Sequence, residues 1–352
     1  MKALVLSGGE GSRLRPITHT NAKQLIPIAN TPILFHALRA IADAGIVEVG
    51  IVVGHTADEV RGAVGDGSAF GLQVTYVPQE APLGLAHAVL TAEEFVGDEP
   101  FVMYLGDNVL LEGLRGFVES FEEHRPSAQI FLAKVPEPER FGVAVLEGDH
   151  VTRLVEKPKE HISDLALVGV YLFDRSIVEA ARTLEPSWRG ELEITDAIQR
   201  LIDDGRAVRA AMVGGWWKDT GRPEDLLEAN RMMLRQLTSR NDGEVDDRSR
   251  LEGTVVVERG AKVARCAIRG PVIIGEGTVV EDSVIGPDVS ISYGCTVRGS
   301  EIEDSIVMEH CTIADVRAMA GSILGKGVDV RRATRPEMYR LIVGDQSQIQ
   351  VY

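Results

Sequence analysis

The chain has 352 residues, 44% of them hydrophobic, with 37 basic and 53 acidic side chains and a formal net charge of −16. Such a length can bury two cores, and the acidic balance excludes nucleic acid or an anionic membrane surface as the main partner. No apolar run reaches the ~20 residues of a membrane span, Met1-Lys2 enters a strand rather than a signal segment, and Cys266, Cys295 and Cys311 lack C-x-x-C spacing; the expectations are a cytoplasmic protein with buried thiols.

The first element is a short buried strand over 3–6. It breaks into Ser7-Gly8-Gly9-Glu10-Gly11-Ser12, followed by Arg13, Arg15 and Lys23. Glycines let main-chain N–H groups close on an anion, and Arg13 and Lys23 supply the charge a polyphosphate demands. A Walker A loop is excluded because no Gly-Lys-Ser/Thr follows, and the dinucleotide fingerprint fails because Leu14 stands at its third glycine. Glycines that merely permit positive φ would explain the turn, but not the three cations crowding a strand's carboxyl end.

Farther along, 30–45 reads as a helix with Pro32 in its first turn, and 47–53 as a β-branched strand. Alternation continues through a helix at 57–64, a strand at 72–77, a helix at 85–95 and a strand at 101–105. Strands alternating with helices predict an α/β domain with a mixed, mainly parallel, Rossmann-like sheet. Gly84 opens the helix at 85, where an anion or base could approach the backbone. Asp107, just past the strand at 101–105, is placed to hold Mg²⁺ beside a triphosphate, although an aspartate there is more often a turn or cap residue. Strands follow at 130–135, 143–146, 151–155 and 166–173. Glu191, Glu193 and Asp196 then open a helix, with capping the preferred role for Asp196, and Trp216-Trp217-Lys218-Asp219-Thr220-Gly221 precedes a helix at 223–236.

Residues 239–250 are polar and charged, as in a linker between a domain at 1–238 and another at 251–352. Beyond them a period of about six takes over, anchored by Ile274, Val280, Ile285, Ile291, Val297, Ile302, Val307 and Ile313. Such anchors bury themselves only when successive coils stack. The pattern resembles the hexapeptide repeat of left-handed parallel β-helices. Acyl transfer is the competing function for such a repeat, but His310 is its only histidine, so a scaffold in a homo-oligomer is preferred.

The N-terminal motif resembles the signature of the sugar nucleotidyltransferases, L-x-G-G-x-G-[ST]-R-L-x-P-x-T, with Leu6, Gly8, Gly9, Gly11, Ser12, Arg13, Leu14, Pro16 and Thr18 in place. Lys23-Gln24 is similar to the long-form glucose-1-phosphate thymidylyltransferase branch, and residues 338–352 resemble the tail of that form. The resemblance implies transfer from dTTP to glucose 1-phosphate with Mg²⁺. Arg13, Lys23 and Lys157 would be catalytic, and Gln24, Gln79, Pro82 and Gly84 would meet the nucleotide with the loop. Gly142, Glu156, Lys157, Val168, Tyr171 and Trp217 would hold the sugar phosphate, with Glu191 nearby, and Asp107 and Asp219 the metal. Phe141 stands where some members carry tyrosine. A UTP-dependent uridylyltransferase and a bifunctional nucleotidyltransferase–acetyltransferase are the alternatives.

Overall fold

The computed structural model describes residues 1–148, 150–332, 343 and 345–350. Contacts divide the chain into two compact units. The first comprises Met1–Glu10, Asn21–Leu25 and Ile33–Asp219, and the second Gly11–Thr20, Ile26–Pro32 and Thr220–Tyr352.

In the first unit a nine-stranded sheet runs in the order Gln73–Pro78, Glu48–Val53, Lys2–Ser7, Phe101–Leu105, Leu165–Phe173, Ala128–Lys134, Val208–Met212, His150–Glu156 and Gly142–Glu147. The first four strands are parallel, as the strand–helix alternation predicts. Leu165–Phe173 runs antiparallel to both its neighbours, and His150–Glu156 folds back on Gly142–Glu147. "Mainly parallel" therefore describes only the N-terminal half. Only two residues separate those last two strands, which leaves no room for the crossover that parallel neighbours require.

Side chains alternate across the strands and feed two cores. Leu4 and Leu6 face one with Ala86, Val89, Ile177 and Ile198. Ala3 and Val5 face the other with Leu34, Leu38, Val60 and Phe121. Helices thus cover both faces: Ile33–Asp43, Ala57–Val64 and Arg115–His124 on one, Leu85–Thr91, Ser176–Arg182 and Ile194–Asp203 on the other. The helix expected over 85–95 is broken into Leu85–Thr91 and Glu93–Val96. The helices Arg115–His124 and Ser176–Arg182 were not legible in the pattern.

The second unit is a stack of parallel coils with three faces. One runs through Val255–Val257, Val272–Ile274, Val289–Ile291 and Ser305–Val307, another through Lys262–Ala264, Val279–Glu281, Thr296–Arg298 and Thr312–Ala314, and the third through Ala267–Arg269, Val284–Ile285 and Glu301–Ile302. All eight apolar anchors named from the repeat lie buried in one column, with the three free cysteines. Serine hydroxyls tie coil to coil: Cys266 N–H donates to Ser249 Oγ (3.0 Å) and Ser300 N–H to Ser283 Oγ (3.1 Å).

The stretch 239–250 is not a linker but the first coil: Arg240–Asn241 pairs with Val256 and Val257, and Glu244–Val245 with Lys262 and Val263. A coil's ladder uses main-chain groups, so polar side chains need not interrupt it. Nor does this unit start at 251. Helix Pro223–Leu234 belongs to it, packing Leu234 on Val256 and Ile273, while Asn230 Oδ1 accepts from Ala29 N–H and Ser290 Oγ, each at 2.8 Å. Outward-facing Val256 and Ile273 are apolar for that reason. The tail at 338–352 falls mostly outside the described residues.

Candidate active site

Strand Lys2–Ser7 ends in Gly8 and Gly9, and two glutamines close on them. A Cβ on Gly8 would stand 3.4 Å from Gln79 Oε1, and one on Gly9 3.9 Å from Gln24 Nε2. Gln24 is only 2% exposed, and its Oε1 has no hydrogen-bond partner among the described residues. A buried amide oxygen left unpaired is costly, and a ligand donor would relieve it. The Gln79 amide is bonded to His87 Nδ1 at 2.9 Å, a partner that sequence reading missed. Its one available signal was position: His87 lies in the first turn of the helix that Gly84 opens.

Lys23 and Gln24 lie on the short turn Lys23–Leu25, preceded by Ala22, whose N–H donates to Glu59 Oε2 at 2.7 Å. The turn buries Lys23 to 6% exposure and sets its ammonium on Asp107 Oδ2, with Asp219 Oδ1 at 3.9 Å. The two aspartates are far apart in sequence. Pairing of Trp217–Asp219 with Asn108–Leu110, Asp219 opposite Asn108, brings them to one cation. Burial pushes the Asp107 carboxyl upward, but the Lys23 charge and hydrogen bonds from Lys23 and Asn108 outweigh it and hold the group below the ordinary carboxylate range.

Asn108 joins these parts. Its Nδ2 donates to Asp107 Oδ1 (2.9 Å), and its Oδ1 accepts from Trp217 Nε1 (2.6 Å) and Gly169 N–H (3.3 Å). The local motif at this strand end points to Asp107 and gives no role to Asn108. Strand Leu165–Phe173 bulges between Leu167 and Tyr171, and a Cβ on Gly169 would lie 2.6 Å from the Asn108 amide. Gly169→Ala is expected to push Asn108 aside, costing about 2 kcal/mol and weakening turnover with it. Thermal melting and steady-state rates of the variant check both effects.

Among the residues expected to hold the sugar phosphate, Lys157 has φ +40°, its N–H donates to Phe141 O (3.0 Å), and its Nζ lies 3.5 Å from Glu156 Oε1. Gly142 is required by crowding, because a Cβ would meet Thr195 Cγ2 at 2.6 Å and Glu156 Oε2 at 3.0 Å. Phe141 packs edge-on against Trp217, centroids 5.6 Å apart. Tyr171 is buried and stacked on Phe173, and burial, then the Glu156 charge, push its hydroxyl pKa upward.

Arg189 anchors the acids here and was missed in the sequence. Its guanidinium reaches Glu156 Oε1 (3.4 Å), Glu191 Oε1 (2.6 Å) and Glu193 Oε1 (3.2 Å), so Glu191 is engaged by an arginine. Burial nevertheless leaves the Glu156 pKa raised, despite Lys157 and Arg189.

Other expected residues sit differently. The side chains of Leu6 and Val168 are core, leaving only their main chains for a ligand. Pro82 is exposed, and Gly84 (φ +108°) is required because a Cβ would come within 2.4 Å of Leu192 O. Ala86 N–H donates to that same carbonyl (3.0 Å), so this helix start is partly satisfied by main chain. Gly11, Ser12 and Arg13 belong to the second unit. There Gly11 (φ +63°) accepts from Thr18 Oγ1 at 2.7 Å, and Arg13 lies exposed on the turn Ser12–Leu14.

A doubly covered α/β sheet with a glycine loop, an open amide and a lysine between two carboxylates at its strand ends defines a nucleotide-binding transferase. The nucleotidyl transferase family model matches residues 2–236, and a GMPPB C-terminal domain model matches 268–351. Glucose-1-phosphate thymidylyltransferases of Streptomyces griseus and Streptomyces antibioticus are 53% and 51% identical, each aligned over 100% of this chain and 99% of theirs. A Bacillus anthracis structure assigned to the glucose-1-phosphate thymidylyltransferases and solved with sucrose superimposes with a TM-score of 0.64 at 36% identity, covering 68% of this chain and 98% of that one. The chain belongs to the nucleotidyl transferase family, in the branch of the glucose-1-phosphate thymidylyltransferases.

Proposed function

We propose that the protein transfers a thymidylyl group from dTTP to glucose 1-phosphate, forming dTDP-glucose and releasing pyrophosphate. The observation that carries this reading is the meeting of Lys23, Asp107 and Asp219 at strand ends beside the glycine loop. A phosphate oxygen of glucose 1-phosphate attacks the α-phosphorus in line, and the bond to the β-phosphate's bridging oxygen breaks. The protein's task is to position and neutralise charge. Lys157 holds the acceptor phosphate, with Glu156, Gly142 and the main chain at Val168 around the sugar. Lys23 takes the triphosphate, while Gln24 and Gln79 read the base.

Mg²⁺ fits this donor set. Among the described residues no three His, Cys, Asp or Glu side chains gather to enclose a metal, and Mg²⁺ takes few protein carboxylates plus phosphate oxygens. Asp107 and Asp219 would hold the ion, which when bound neutralises charge on the reacting phosphates. The repeat unit is read as a left-handed scaffold in a homo-oligomer: its one histidine, His310, packs edge-on against Tyr293, centroids 5.0 Å apart.

Pyrophosphate release with glucose 1-phosphate and Mg²⁺, compared among dTTP, UTP, ATP, GTP and CTP, tests the assignment. Release is expected to be fastest with dTTP and abolished by EDTA. A preference for UTP would reassign the base, and no release with any nucleotide would overturn the reading.

A further inference from the structure

Strands Val208–Met212 and His150–Glu156 are neighbours in the sheet, yet a single residue pair, His150 opposite Arg209, joins them. The seam between them opens into a cavity of about 710 Å³. Its inner wall is apolar, formed by Leu132, Val151 and Ile202 from the core beneath, whereas Arg206, Arg209 and His150 stand among its exposed lining residues. No lining residue is acidic, in a chain whose net charge is −16. Among the described residues neither the Arg206 nor the Arg209 guanidinium has an ion-pair or hydrogen-bond partner.

The pocket is separate from the residues assigned to the transfer reaction: none of its lining side chains is shared with them. An open strand seam offers main-chain groups, an apolar floor takes a ring or chain, and forked guanidinium donors suit phosphate, sulfonate or carboxylate oxygens. We propose that this cavity is a second ligand site, for a small organic anion with an apolar body and one or two acid groups. The anion pairs with Arg206 and Arg209, and the body enters the seam between the strands.

The probe is 8-anilinonaphthalene-1-sulfonate, an aromatic body carrying one sulfonate, titrated into the full chain and followed by fluorescence. One saturable site per chain is expected, weakened roughly tenfold or more in Arg206→Gln/Arg209→Gln by loss of the charged hydrogen bonds. The double variant Arg317→Gln/Arg332→Gln, with the same charge change on exposed residues of the repeat, is expected to bind as the parent does. Matching thermal transitions show that each variant is folded, and pyrophosphate release is expected to be unchanged in both. Absence of saturable binding, or equal weakening in the two double variants, would overturn the proposal.

Discussion

Asp107→Asn is expected to lower turnover roughly a thousandfold while leaving the chain folded. A carboxamide keeps the shape and one acceptor oxygen, so the hydrogen bond that Asn108 Nδ2 donates to Oδ1 survives. The charge does not survive, and with it go the proposed metal ligand and the main partner of buried Lys23. Asp219 Oδ1, 3.9 Å from that ammonium, limits the stability cost to about 1–2 kcal/mol rather than the 3–5 of a fully orphaned charge. Pyrophosphate release and a thermal melt on the same preparation separate the two effects. Near-parental turnover in the folded variant would remove Asp107 from the metal site, and a collapse of the melt would show that the pair's main role is structural.

Arg189→Met carries the second large effect, expected mainly in stability and in the use of glucose 1-phosphate. Methionine fills the space of the arginine stem but leaves Glu156, Glu191 and Glu193 without their shared cation. Glu193 is 3% exposed and Arg189 21%, so water screens the loss poorly, and about 3 kcal/mol is expected. A rise in KM for glucose 1-phosphate should accompany it, because Glu156 also faces Lys157.

The deficit has a pH signature. Burial first, and the Glu193 charge with it, already raise the Glu156 pKa, against the pull of Lys157 and Arg189. Removing the arginine raises it further. A carboxyl whose folded pKa lies above its unfolded value contributes stability that is present below the unfolded value, near pH ~4, and lost as pH rises through the folded one. The variant should therefore lie closest to the parent in mildly acidic buffer and fall behind toward neutrality. A deficit that stayed constant over this range would mean that packing, not charge, is what Arg189 contributes.

Much of the fold was legible because side-chain periodicity reports burial directly. Ile274, Val280 and Ile285 announce a stacked coil, because only stacking can bury anchors so closely spaced. Leu4 and Leu6 against Ala3 and Val5 announce a strand covered on both faces. The polar stretch at 239–250 misled for the complementary reason: main-chain pairing has no signature in side-chain polarity. Within the candidate site, local motifs point to Gly8, Gly9, Lys23, Asp107 and Glu156, because glycines near a strand's end and a charge in a strongly patterned segment are visible in one dimension.

Asn108, His87 and Arg189 were not visible in that way: Asn108 acts through partners distant in the chain, and the nearer partners of His87 (Gln79) and Arg189 (Glu191 and Glu193) meet them only through the local turns, which side-chain pattern does not report. Asn108 reaches Gly169 and Trp217 only because a bulge and a strand pairing deliver them. The sequence alone determined the two classes of structure, their order and the residue types proposed for a phosphate and a divalent ion, because composition and period follow from burial and charge. Tertiary structure alone decided that Asp107 and Asp219 share one lysine, that Arg189 restrains three glutamates, and that the seam at Arg209 opens. Those are distances between strands, turns and loops, set by sheet order, register and turn geometry, and no local pattern encodes them.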